Sequence, residues 1–212
     1  MSICPPEVSV RLDPRTASRQ RLALLGAVVL CEALLLGVVA QYRGVDADEG
    51  FYTFAAREVR AGQRIYSDFF FPQMPYLPFA AAAFIDVEAP SLFAGRIVNV
   101  VSGALAVGLL AYAAAAWTGR LSVGTTVALL FAANALYVLL LSVGKTYGLA
   151  NLGLVASFLL LARSRLGLLG AAAAGACAGV ALGARLPAAA AIVILAGWSL
   201  RHGAKPFVGF AV

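Results

Sequence analysis

Residues 22–40 read Leu-Ala-Leu-Leu-Gly-Ala-Val-Val-Leu-Cys-Glu-Ala-Leu-Leu-Leu-Gly-Val-Val-Ala, nineteen residues that are apolar apart from Glu32. At a helical rise of about 1.5 Å per residue such a stretch covers roughly 28 Å, the hydrocarbon depth of a bilayer. A carboxyl at mid-depth costs about 3 kcal/mol on insertion scales, and apolar residues at roughly −0.3 to −0.6 kcal/mol each offset it. Seven leucines and four valines therefore predict a membrane crossing. Arg11, Arg15, Arg19 and Arg21 precede the stretch as in a secretory n-region, with Val38-Val39-Ala40 as a cleavage-like tripeptide. Segment length and the embedded acid predict an uncleaved anchor instead.

Working outward, the chain has 212 residues, 62% hydrophobic and 12% charged, with a mean hydropathy of +0.89. Soluble domains carry about twice that share of charge. This composition excludes a disordered chain, and the net charge of +6 comes from scattered arginines rather than one basic face, which excludes a nucleic-acid partner. Further apolar runs occupy 92–117, 121–142, 147–162, 167–184 and 186–200, separated by short connections. Pro75 to Val87, with Pro78 inside it, is too short to cross and is expected to dip into the interface. The expectation is an all-α polytopic transmembrane helix bundle, a single membrane domain over residues 1–212 with six crossings.

Loop charge orients it. With the N-terminus in the cytoplasm, nine of the sixteen basic residues lie inside: the four N-terminal arginines, Arg120, Arg163, Arg165, Arg201 and Lys205. Counting Pro75 to Val87 as a crossing would put the last five outside. The preferred topology predicts an integral protein of a bacterial cytoplasmic (inner) membrane. Residues 41–91 become one non-cytoplasmic loop holding seven of the ten carboxylates: Asp46, Asp48, Glu49, Glu58, Asp68, Asp86 and Glu88.

In that loop Asp48 is placed to cap a helix from about Gly50 to Ala61, with Glu49 in its first turn and Gly62 past its end. Phe51, Ala55 and Val59 share a face, so the helix is expected to lie in the interface as an amphipathic element. The aromatic, proline-rich stretch from Gly62 to Tyr76 suits headgroup level. Capping and solvation are the plain reading of Asp48 and Glu49. The functional reading is a surface carboxylate acting as general base toward a hydroxyl or coordinating a divalent cation.

Asp48-Glu49 directly after the first helix resembles the motif that opens the first outer loop of GT-C polytopic glycosyltransferases of the protein O-mannosyltransferase and aminoarabinose transferase type. Gly62, Tyr66, Asp68 and Pro75 are similar in order and spacing to the family's downstream residues. Ala94-Gly95-Arg96 looks like the family's next helix start, and the small-residue helix ending at Arg185-Leu186-Pro187 like a later one. The resemblance implies transfer of a sugar from a polyprenyl-phosphate carrier to an acceptor hydroxyl, with Asp48 as catalytic carboxylate and Glu49 as its neighbour. It further implies cations for the carrier phosphate, for which Arg96, Lys145 and Arg185 are candidates, with Asp68 and Tyr66 beside them. Headgroup snorkelling is the plain alternative for each cation. The chain departs from the family in two respects. Ser142 to Gly148 holds no second acid, and relatives run longer, so residues 1–212 read as the N-terminal portion of a larger fold.

Two other function classes remain open: a small transporter or channel subunit with Glu32, Arg96 and Arg185 along a polar path, and a non-catalytic membrane partner protein. Gly175, Gly179 and Gly183 form a small-residue face on which a helix, from this chain or a partner subunit, can pack. Cys4, Cys31 and Cys177 have no metal-ligand or CxxC spacing, and His202 beside Arg201 reads as a solvated loop residue. No Walker loop, dinucleotide fingerprint or zinc spacing is present, so the sequence fixes no cofactor.

Overall fold

The computed structural model describes residues 14–88, 91–163 and 166–211; Cys4, Arg11 and Arg165 lie outside them. Among the described residues the regular elements are all helical, with one isolated bridge between Ile65 and Phe69. In chain order they form α1 (Pro14–Tyr42), α2 (Glu49–Arg60), α3 (Tyr76–Ala82), α4 (Phe93–Thr118) and α5 (Leu121–Ala132). There follow α6 (Ala135–Leu141), α7 (Tyr147–Leu161), α8 (Leu168–Ala184), α9 (Ala188–Ser199), a 3-10 turn at Leu200–His202, and α10 (Ala204–Ala211).

Two helices are long and apolar enough to cross a membrane, α1 from Thr16 and α4. They sit differently: α4 is 61% buried over its most apolar window and α1 only 17%, so α4 is the central column and α1 a rim helix. Around α4 pack α1, α5 and α7, and α8 packs on α7. Small residues allow the close approaches. A Cβ on Gly108 of α4 would strike Val29 and Leu25 of α1, and one on Gly153 of α7 would lie 2.6 Å from the Cys177 carbonyl oxygen of α8.

The expected crossing at 121–142 is broken. α5 and α6 meet at 71° across Ala133-Asn134. Asn134 has extended backbone angles, and its side chain accepts from the Tyr137 N–H at 3.1 Å, so an amide inside the apolar run ends one helix and caps the next. Among the described residues two helices, or three if the bent pair is one span, meet the length and composition for a crossing, where six crossings are expected from the sequence. α7, α8 and α9 lie within two residues of the expected 147–162, 167–184 and 186–200, yet have 15, 17 and 12 residues. Pro75 to Val87 yields only the seven-residue α3, too short to cross.

The glycine face of α8 admits the backbone of another helix at one of its three positions. Gly175 meets the α10 backbone at Phe210 and Gly183 meets the Tyr76 ring, while Gly179 lines a cavity of about 760 Å³. The α7–α8 contact uses the neighbouring Cys177 and Ala181 face instead.

At the loop end of the bundle, α2 and α3 cover α4. Tyr52, Ala55 and Ala56 of α2 share a core with Ile65, Phe71, Leu77, Ala81, Ile85, Ala94 and Val98, and Phe51 stacks on Phe71 at 4.9 Å. The face expected from Phe51, Ala55 and Val59 is therefore real but wider, and α2 is packed against protein rather than lying free in the interface. Gly62 does end α2, with φ +89.

Candidate functional site

Buried charge organises the loop end. Glu49, the first residue of α2, is 1% exposed, and Arg96, one turn into α4, is 5% exposed. The guanidinium donates from Nε to Glu49 Oε1 at 2.8 Å and from Nη2 to Oε2 at 2.7 Å, a bidentate pair. Its remaining N–H groups donate to the carbonyls of Ala40, Arg43 and Gly44, the exit of α1. Glu49 also accepts the backbone N–H of Asp46 at 3.0 Å and that of Gly144. One ion pair thus joins the end of α1, the start of α2, α4 and the α6–α7 connection. Burial works to raise the Glu49 carboxyl, but hydrogen bonds from Arg96, Asp46 and Gly144 outweigh it and hold the group below its ordinary range.

The α6–α7 connection is fastened at a second point. Asn99, three residues along α4 from Arg96, donates from Nδ2 to the Leu140 carbonyl at 3.0 Å and the Val143 carbonyl at 2.7 Å, and accepts the Gly148 N–H. Backbones touch here: a Cβ built on Gly95 would lie 3.2 Å from Gly144 Cα. The paired glycines let residues 142–147 rest on α4 with every buried amide side-chain atom of Asn99 satisfied.

This fastening presents Lys145. Its ammonium lies 2.7 Å from Asp46 Oδ1 and 3.1 Å from Asp48 Oδ2. Burial alone would pull Lys145 down, but Asp46 and Asp48 outweigh it and hold the ammonium above its ordinary value. Asp46 is held below its own value, first by the Lys145 hydrogen bond and then by the Asp48 N–H. The Asp48 side chain remains 61% exposed. It does not cap α2: its backbone is already helical at φ −87, ψ −18, and its side chain makes no cap hydrogen bond. Asp46 does that work, accepting the Glu49 N–H on its carbonyl and the Asp48 N–H on Oδ1.

Behind this pair stands Tyr52, one turn along α2 and buried. Burial raises its hydroxyl above the ordinary value and the Asp48 carboxylate adds to this, against Thr146, Arg185 and Lys145. Arg185, just past α8, lies with its guanidinium carbon 4.2 Å from the Tyr147 ring centroid. Among the described residues it has no carboxylate partner.

Comparison with protein families, with curated proteins and with solved structures finds no match. The site is therefore read from its own geometry.

Of the residues expected from sequence, Asp48 and Lys145 are brought together at the rim, and Arg185 lies over Tyr147, two residues along the chain from Lys145. Glu49 and Arg96 are brought to each other, beneath that rim. Tyr66 and Asp68 sit in a turn of their own: Tyr66, at φ 72, donates its hydroxyl to the Gln73 carbonyl at 2.7 Å, and Asp68 accepts the Arg64 N–H at 2.8 Å. Among the described residues no hydrogen bond or ion pair joins them to the rim. The Lys145 ammonium bridges the Asp46 and Asp48 carboxylates at the rim. Sequence reasoning missed Asp46, Tyr52, Asn99 and Gly144. The available signal was Asn99 at i+3 from Arg96 in an apolar helix, two buried hydrogen-bonding groups on one face that require partners.

Proposed function

We propose that the chain forms the acceptor and carrier-phosphate face of a membrane glycosyltransferase that uses a polyprenyl-phosphate sugar. The observation that carries this reading is the exposed Asp48 carboxylate held 3.1 Å from Lys145, with the Arg185 guanidinium, without a carboxylate partner among the described residues, over the ring of Tyr147 two residues further along the chain. In the reaction, Asp48 takes the proton of the acceptor hydroxyl as its oxygen attacks the anomeric carbon. The bond from that carbon to the phosphate oxygen breaks, and its electron pair leaves with the lipid phosphate. Arg185, free of any carboxylate among the described residues, supplies positive charge for the departing phosphate, and Lys145 orients Asp48. Arg96 is spent on Glu49, so neither is given a catalytic role. The arginines at the opposite end support setting this rim on the non-cytoplasmic face of an inner membrane, with the N-terminus inside.

The competing transporter reading has less support, because no hydrogen bond or ion pair among the described residues links Glu32, Arg96 and Arg185 into a polar path. The test uses membranes carrying the full-length protein, supplied with radiolabelled polyprenyl-phosphate mannose or aminoarabinose and scored for label leaving the lipid phase. Asp48→Asn should lower transfer at least about 100-fold, the contribution of a positioned base, at unchanged membrane levels. Normal transfer by Asp48→Asn rules the assignment out.

A further inference from the structure

Glu32 has no counterpart in this scheme. It is the eleventh of the nineteen residues 22–40, near mid-depth of α1, and only 3% exposed. Its Oε2 is buried with no hydrogen-bond partner. The side chain lines a cleft of about 250 Å³ between α1 and α5, walled by Leu24, Val28, Ala128 and Leu129 among others. Thr125 also lines it, but its hydroxyl donates to the Leu121 carbonyl at 3.2 Å. On α6 the Tyr137 hydroxyl is engaged by the Gly103 carbonyl at 3.2 Å. Among the described residues no lysine or arginine forms an ion pair with Glu32. The cleft is open toward lipid, since Cys31 and Leu129 on its wall are both exposed.

We infer that this cleft is a lipid-accessible binding site for a hydrophobic amine, an apolar molecule with one basic nitrogen that pairs with the Glu32 carboxyl. The volume equals about eight water molecules at roughly 30 Å³ each, but a buried water needs two to four polar partners and these walls supply too few. A plain hydrocarbon would fill the apolar walls and leave Oε2 without a partner. An amine meets both demands. The carboxyl proton passes to the nitrogen, and the resulting ammonium and carboxylate neutralise each other where no solvent reaches.

The experiment uses the whole chain in liposomes, with dicyclohexylcarbodiimide as an apolar carboxyl reagent and mass spectrometry to locate the adduct. Glu32 should be modified. N,N-dimethyloctylamine should slow that modification about tenfold at roughly ten times its Kd, as mass action requires, whereas octane at equal membrane content should not. Ala27→Leu, which narrows the cleft from an exposed position and leaves Glu32 in place, should abolish both labelling and amine protection while the helical circular dichroism stays unchanged. The inference fails if Glu32 is not modified, if octane protects as well as the amine, if the amine does not protect, or if Ala27→Leu behaves as wild type.

Discussion

Replacing Arg96 by Met tests the fastening beneath the rim. The substitution removes two charge-assisted hydrogen bonds to Glu49, at 2.8 and 2.7 Å, from a pair in which both partners are nearly solvent-free. Hydrogen bonds to charged groups contribute about 1.5–3 kcal/mol each, and breaking one half of a buried pair costs about 3–5 kcal/mol. The carbonyls of Arg43 and Gly44 lie at the helix exit where water can replace the guanidinium, whereas the buried Ala40 carbonyl loses its donor as part of the same cost. A loss of about 4 kcal/mol, close to a thousandfold in the folding equilibrium, is expected. Glu49→Leu alone should cost a similar amount by stranding Arg96. The double variant Arg96→Met, Glu49→Leu buries no unpaired charge and should be less damaged than the sum by about 2 kcal/mol. The assay is equilibrium unfolding in mixed detergent micelles, followed through Trp117 and Trp198. Both rings pack on Phe158 at the opposite end, so they report the whole bundle rather than the mutated site. A single-variant cost below about 1 kcal/mol, or additivity within about 0.5 kcal/mol, would refute the claim that the pair acts as one fastening.

Two further outcomes follow from the same geometry. Gly153→Val should destabilise the bundle by about 3 kcal/mol, the upper end of overpacking costs, because the first atom it meets is the Cys177 backbone oxygen rather than a movable side chain; unfolding at wild-type detergent content would contradict this. The pH profile of stability should be flat in the middle and fall at both ends. Glu49, held below its ordinary 4.5, contributes stability that is present above that value and lost as pH falls through the lower folded value. Lys145, held above its ordinary 10.5, contributes stability that is present below that value and lost as pH rises through the higher folded value. Glu49→Gln should remove much of the acid-side fall and leave the alkaline side unchanged, read from unfolding midpoints across the pH range.

The helical character of the chain and most helix ends were legible because apolar run length is a one-dimensional signal, and a membrane enforces it. The break at Asn134 was harder to see: one amide among leucines looks tolerable by average hydropathy, and only its cap hydrogen bond to Tyr137 turns it into a 71° bend. Burial was the other blind spot. Ten carboxylates can be counted, but whether Glu49 faces water or Arg96 depends on α2 folding down onto α4, a contact between residues 47 positions apart.

That contact explains why two adjacent acids divide their labour. Consecutive residues on a helix point about 100° apart. With Tyr52, Ala55 and Ala56 packed into the core, α2 lies down on α4, and Glu49 in its first turn meets Arg96 there. Asp48 is rotated out toward Lys145. An inward carboxylate without a cation would be untenable, so the position of Arg96 one turn into α4 is a requirement of that burial rather than an independent choice. The buried pair fixes Gly144, and Gly144 fixes the residue after it. The exposed Asp48–Lys145 pair therefore inherits its geometry from the hidden one, and substitution of Arg96 should disorder the rim before it touches any substrate.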